Sequence, residues 1–292
     1  MAHRLIECVP NFSEGRNAQT VDAIGQAIAS VAQVRVLRSE TDADHNRSVI
    51  TFAGTPEAVR QAALRGIAEA VQRIDLSTHS GVHPRIGAAD VVPFVPLEGV
   101  TLEECAALAH DVGREVWETL RVPVYFYEAA ARSSDRAPLE KLRAGHLAPD
   151  LGGPALHPTA GACVIGARKI LIAFNIVLNT ADLSIARAIA KKIRASSGGF
   201  RFVKALGLLL ASRNLAQVSL NLTDYEQTPL HLVFEAVAAE ALALGLEIVD
   251  TEIIGLVPAK ALEEAAAHFL RCRNFHSGLV IENALLPLTE KV

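Results

Sequence analysis

The order strand–helix–strand–strand–helix–strand occurs twice along this chain, and it limits the fold more than any other feature. In the first half, residues 4–9 read as a strand and 18–31 as a helix with Val21, Ile24, Ala27 and Ile28 on one face. Strands follow at 33–38 and 47–53. Thr55-Pro56-Glu57 then opens a helix that runs to about Ile74, with Thr at the N-cap, Pro in the first turn and an acid near the positive dipole end. The apolar run Val91-Val92-Pro93-Phe94-Val95 is the last strand of the set. The second half repeats the order: strand 169–178, helix 182–195, strands 202–210 and 216–222, a helix from Thr228-Pro229 to near Gly245, and strand 247–254, followed by a short helix at 259–270.

This is the split order in which two crossovers lay helices on one face of an antiparallel sheet. The chain is therefore predicted to be an α/β (α+β) protein of two ferredoxin-like βαββαβ subdomains, 1–165 and 166–292. Alternation alone also admits a doubly wound sheet, but no Gly-x-Gly-x-x-Gly or Walker-type loop is present, so nucleotide binding is not expected. Between the repeats, Thr101 and Glu104 form a capping box for a helix to about Leu120, and 122–127 reads as a strand. The stretch 133–161 holds Pro138, Gly145, Pro149, Gly152, Gly153, Pro154, Pro158 and Gly161, and so is predicted to be mostly loop. Loops of that length inside compact proteins are usually functional or disordered.

Composition narrows the class of function. At 292 residues the chain can bury two modest cores. Its apolar runs fall short of the roughly 18 to 20 residues of a membrane span, and the start Met1-Ala-His-Arg-Leu lacks a signal-peptide core, so a cytoplasmic protein without a membrane partner is expected. A net charge of -4 offers no global field for nucleic acid. Cys8, Cys105, Cys163 and Cys272 lie far apart with no Cys-x-x-Cys spacing, which fits a reducing compartment and argues against a zinc knuckle. Cys163, beside the Gly/Pro-rich stretch, is the one thiol considered as a nucleophile.

The chemistry concentrates in Ser77–Asp90, where two histidines, an arginine, two glycines, a proline and an acid sit between a helix and a strand. Histidine titrates near working pH, so His79 and His83 can carry a proton-shuttling site. The competing reading makes them loop residues that satisfy backbone carbonyls, with Arg85 a surface charge. Pro84 restricts His83 to extended geometry, and Gly81 and Gly87 permit backbone shapes and close approaches that other residues resist. His79 and His83 are four apart, but Gly81 and Pro84 oppose a helix that would set them on one face, and no third ligand has convincing spacing, so no metal is expected. Arg47, Arg85, Arg168 and Lys169 all fall beside turn or strand-end signals, where they can meet an anionic small molecule.

Five segments together resemble the formiminotransferase domain of the glutamate formimidoyltransferase family: Glu7-Cys-Val-Pro-Asn-Phe-Ser-Glu-Gly15; Asp44-His-Asn-Arg47 with the strand containing Thr51-Phe52; the His79–Asp90 loop, whose Gly-x-His-Pro-Arg-x-Gly-Ala core is the most specific; Gly166-Ala-Arg-Lys-x-Leu-Ile-Ala-Phe-Asn175; and Asn214-Leu-Ala-Gln-Val-Ser219. They span nearly the whole chain in the family's order. The resemblance implies two α/β subdomains with a substrate cleft between them, and transfer of a formimino group from N-formimino-L-glutamate to tetrahydrofolate, a step of histidine degradation.

It further implies that His83, which precedes Pro-Arg, is the catalytic general acid/base. The folate-contacting loop falls on Gly152, Gly153, Pro154, Ala155, Leu156, His157, Pro158, Thr159, Ala160 and Gly161. Tetrahydrofolate would serve as acceptor substrate, with no metal, in a homodimer. Animal members carry a tryptophan just before the glycine matching Gly161, where this chain has Ala160, so a stacking or lid contact is expected to be absent or supplied elsewhere. The chain also ends where bifunctional animal members continue into a cyclodeaminase domain, so that second activity is not expected.

The reaction fits these residue types. A forked guanidinium suits the glutamate carboxylates, which makes Arg47 and Arg85 the expected donors, with His79 beside them and Lys169 or Arg168 toward the folate tail. A carboxylate from Glu7, Glu40, Asp42 or Asp44 would orient the cationic formimino group. The rival readings are a 5-formyltetrahydrofolate-dependent glutamate formyltransferase or cyclo-ligase on the same scaffold, and a non-catalytic folate-binding module.

Overall fold

A computed structural model describes residues 4–43, 45–81 and 85–284 of the chain. It divides into two units, Met1–Lys169 and Ile170–Val292. The first unit contains β1 (Leu5–Cys8), β2 (Asn11–Phe12), α1 (Ala18–Ala29), β3 (Val34–Asp42), β4 (Arg47–Gly54), α2 (Pro56–Arg73), β5 (Ala89–Glu98), α3 (Leu102–Glu115), β6 (Val124–Glu128), α4 (Leu139–Arg143) and β7 (Cys163–Ala167).

Strands β3, β4, β1 and β5 lie side by side and antiparallel, the arrangement the split order demands. β2 continues β1 beyond Pro10 and pairs with both β4 and β5. The sheet then extends past β5 through β7 and β6, both parallel to their neighbours. Two of these elements, α4 and β7, fall in or next to the stretch read as loop from its prolines and glycines. β7 is hidden in the sequence because all five of its residues are buried, so it lacks the two-residue alternation that marks a half-buried strand. Gly166 within it is required by packing: a Cβ there would stand 2.4 Å from the Tyr127 carbonyl oxygen.

Period-two alternation sorts the sheet's two faces. Ile6, Cys8, Ile50, Phe52, Val92 and Phe94 point into the core shared with α1, α2 and α3 and are fully buried. Each such Ile or Phe contributes about 1.5–3 kcal/mol relative to exposure. The intervening Glu7, Arg47, Val49 and Thr51 therefore project from the opposite face. The Thr101–Glu104 capping box forms with both of its hydrogen bonds, at 3.2 and 2.8 Å. Thr55 occupies the N-cap position of α2 without a side-chain cap bond, and Pro56 begins the helix.

The second unit comprises β8 (Ile172–Leu178), α5 (Leu183–Ile193), β9 (Val203–Leu210), β10 (Leu215–Leu222), α6 (Leu230–Ala243), β11 (Ile248–Ile254) and α7 (Ala259–Phe269). Its sheet runs β11–β8–β10–β9, antiparallel throughout, which is the same split order. Thr228 does not cap α6, which starts at Leu230; its hydroxyl donates instead to the Arg201 carbonyl at 2.6 Å. Among the described residues no helix is long and apolar enough to cross a membrane.

Candidate active site

Three sequence segments far apart in the chain meet at one end of the first sheet, and Asn46 joins them. It is buried with φ of 47°, a left-handed conformation that asparagine tolerates better than most residues. Its Oδ1 accepts the Gly15 amide at 2.9 Å, and its Nδ2 donates to the Ser80 carbonyl at 3.0 Å. Gly15 itself has no room for a side chain, since a Cβ would stand 2.3 Å from the Asp42 carbonyl oxygen. Arg85 locks the same turn from the other side, donating to the His45 carbonyl at 2.9 Å and to the Asn46 carbonyl at 3.3 Å. The turn so held delivers Arg47 to the start of β4.

Arg47 is half-buried; burial lowers its pKa, with Asp90 opposing that effect and Arg143 adding to it. His79 contacts Arg85 through Nδ1, and its Nε2 is buried without a hydrogen-bond partner among the described residues. Burial first, then the neighbouring Arg85 charge, pulls the His79 pKa below its ordinary value, so its imidazole is held neutral. Glu40 lies on β3 opposite Val49 and pairs with Arg38 at 2.8 Å. Asp42 accepts from the His45 backbone at 2.9 Å and contacts its ring at 2.7 Å. Asp44 and His83, both named from the sequence, lie outside the described residues.

The stretches on both sides of the histidine motif are stitched to the glycine-rich segment 152–161 and the residue after it. Leu76 donates to the Thr159 carbonyl at 2.8 Å, Ala88 to the Ala160 carbonyl at 2.9 Å, and Ala162 to the Ile86 carbonyl at 3.1 Å. Gly87 and Gly161 face each other as a bridge pair, and neither can carry a side chain: a Cβ on Gly161 would lie 2.0 Å from the Ile86 oxygen, and one on Gly87 1.9 Å from the Ala162 oxygen. His157 and Gly161 close the segment by reciprocal backbone bonds of 2.8 and 3.0 Å, leaving Gly153, Pro154, Ala155 and Leu156 exposed at its tip. Ala160 is a core residue, 1% exposed. An indole does reach the segment from elsewhere: Trp117 lies under Gly152, where a Cβ would stand 2.9 Å from the ring. That contact depends on the π-helical turn Val116–Leu120 at the end of α3, a feature no residue pattern announces.

On the sheet face away from the helices, Glu7 sits near Arg168. Burial raises the Glu7 carboxyl pKa, and Arg168 only partly opposes this. A carboxyl whose folded pKa is raised loses native-state stability as pH rises from its unfolded value, about 4.3, through the folded one. Glu7→Gln should therefore melt higher than the unmodified protein at pH 7–8, with the gap closing below pH of about 4; thermal scans across pH read this directly, and a lower melting point at pH 8 would contradict it.

The thiols offer no nucleophile here. Burial pushes the Cys105 thiol up to about 12 and raises Cys8 and Cys163 well above the ordinary range. A thiol-disulfide reagent should titrate exposed Cys272 quickly and the three buried cysteines only after unfolding. Fast labelling of Cys163 in the native protein would overturn that assignment. Lys169 is exposed at the end of the first unit. No group of three His, Cys, Asp or Glu side chains suited to a metal occurs among the described residues.

In the second unit, the two remaining sequence segments come together by strand pairing. Ser219 is directly opposite Asn175, and Gln217 opposite Val177. Phe174, Ile176, Val218 and Leu220 belong to the helix-covered core, so Asn175, Gln217 and Ser219 share the other face, where Asn175 Nδ2 lies 3.4 Å from Glu252 Oε2. Sequence reasoning named these segments without seeing that they are neighbours. It quoted Asn46 and Asp90 within motifs without giving them a role and did not name Arg143, because their signal is tertiary.

Comparison with known proteins gives one consistent result. The N-terminal subdomain of the formiminotransferase domain matches residues 5–168, and the formiminotransferase domain model matches 173–286. A glutamate formimidoyltransferase of Thermoplasma acidophilum is 44% identical over 96% of this chain and 97% of its own. One from Streptococcus pyogenes is 39% identical over 97% of this chain and 99% of its own. A formimidoyltransferase-cyclodeaminase of Sus scrofa is 44% identical over 93% of this chain, which spans 53% of that longer protein.

Proposed function

Since the chain belongs to the formiminotransferase domain family, we propose that it transfers the formimino group of N-formimino-L-glutamate to tetrahydrofolate, as a glutamate formimidoyltransferase. The observation that carries this reading is the convergence in one unit of Gly15, Arg47, Arg85 and the 152–161 segment on the loop that contains His83. Folate N5 attacks the formimino carbon, a tetrahedral adduct forms, and the glutamate nitrogen leaves. One proton is lost from N5 and one gained by the departing amine. In this proposal His83 accepts the first and delivers the second, so the imidazole ends as it began.

Arg47 and Arg85 meet the substrate carboxylates, with neutral His79 beside them as a hydrogen-bonding group rather than a charge. Glu40, with Glu7 on the same sheet face, or Asp44 orients the cationic amidine. Residues 152–161 receive the folate, with Lys169 toward its tail. Tetrahydrofolate is a substrate that leaves changed, and the reaction as written needs no metal. A homodimer in the cytoplasm belongs to the same reading. The test is a parallel assay with formiminoglutamate plus tetrahydrofolate, and with 5-formyltetrahydrofolate plus glutamate. Turnover of the first pair is expected; turnover of the second pair alone would replace this donor by a formyl-folate.

A further inference from the structure

We propose that Asp90 and Arg143 form a positioning pair that fixes the loop carrying His83, an inference that rests on the formimino-transfer reading. The pairing of β2 with β5 slips between Asn11, opposite Val91, and Phe12, opposite Ala89, which leaves Asp90 without a strand partner. Such a bulge re-aims a side chain out of the regular alternation. The Asp90 carboxylate is thereby buried at the base of the loop. Its Oδ1 accepts the Ile86 amide at 2.6 Å and the Gly87 amide at 3.3 Å. Its Oδ2 receives Arg143 Nη2 at 2.6 Å, with the two side chains 4% and 17% exposed.

Ile86 lies three positions after His83 in the chain, so the anchor grips the described end of the same loop. Ile86, Gly87 and Ala88 are also held from other directions: the Ser13 hydroxyl donates to the Gly87 carbonyl at 2.7 Å, the Ser13 amide to the Ala88 carbonyl at 2.9 Å, and Ala162 to the Ile86 carbonyl at 3.1 Å. Those bonds are backbone or neutral. Among the described contacts to these three residues only Asp90 brings a charge, and a buried carboxylate is costly without a hydrogen-bonded cation. Arg143 is the side chain that bonds it, and it arrives from α4, an element outside the split fold. Without Arg143 the carboxylate loses the partner that fixes its orientation, and its hold on the two amides weakens.

The test compares Arg143→Met, Arg143→Lys and Asp90→Asn with the unmodified protein. A displacement of the catalytic group by about 1 Å can cost roughly 10²-fold in rate. Arg143→Met and Asp90→Asn are therefore expected to lower kcat about 10- to 100-fold, with KM for tetrahydrofolate essentially unchanged and Arg143→Lys recovering part of the loss. Hydrogen exchange of the Ile86 and Gly87 amides should accelerate in the same variants. A purely structural role would lower the melting temperature and leave kcat per folded molecule intact, and that result overturns the proposal. Exchange at Ile86 and Gly87 unchanged in Arg143→Met overturns it as well. An unmodified protein that transfers no formimino group would remove the reading beneath the inference, an outcome visible before any variant is made.

Discussion

His83→Ala is expected to lower formimino transfer by about 10²–10⁴-fold, the usual worth of a positioned general acid–base group, while tetrahydrofolate still binds. The expectation follows from the two proton movements of the reaction and from what the titratable groups among the described residues near the loop offer. Burial and then the Arg85 charge lower the His79 pKa below its ordinary value, which favours the neutral form and a hydrogen-bonding role. The buried thiols are raised out of reach. Rate measured at saturating tetrahydrofolate, beside a binding titration of the same variant, separates the loss of a proton carrier from the loss of a binding site. Near-normal turnover in His83→Ala would remove the histidine from the mechanism.

Gly161→Ala is expected to be the most damaging single methyl group in the first unit. Its φ of 68° is a left-handed conformation that costs an L-residue roughly 1–2 kcal/mol. The added Cβ would also stand 2.0 Å from the Ile86 carbonyl oxygen, a backbone atom that cannot rotate aside, and overpacking of this kind costs about 1–3 kcal/mol more. The sum, about 2–5 kcal/mol by the same figures, is a large share of a domain's usual margin of about 5–15 kcal/mol. The displaced atom belongs to the residue that Asp90 anchors, so activity should fall further than stability. Gly153→Ala is the control: φ is 77° but nothing lies within 4 Å of the new atom, so only the conformational cost of about 1–2 kcal/mol is expected. Denaturant melts of both variants check the difference. Equal losses would mean that the close approach at Gly161 is not a constraint.

The repeated split order was legible in the sequence because each of its strands has one polar and one buried face, or is flanked by turn chemistry. The Ile6/Cys8 and Ile50/Phe52 alternations are of this kind, as is the Thr101–Glu104 capping box. β7 was not legible, since a strand buried on both faces has no period to read. Short α4 was obscured by the prolines and glycines around it. For the site, the histidine loop and the 152–161 segment stood out through residue type alone, but their joining through Gly87 and Gly161 is a contact between residues 74 positions apart. Asp90 shows the limit most clearly. By alternation its side chain belongs with Val92 and Phe94 in the core, and only the slip in pairing with β2 turns it toward Ile86 and Arg143. Asn46 is similar: its sequence context reads as a turn, while its value lies in reaching Gly15 and Ser80 at once.

The most direct test is a turnover assay with purified protein, tetrahydrofolate and N-formimino-L-glutamate, following product by its acid-dependent conversion to 5,10-methenyltetrahydrofolate. The expected result is product formed in proportion to enzyme and dependent on both substrates. Folate binding without any such product would contradict the proposed reaction.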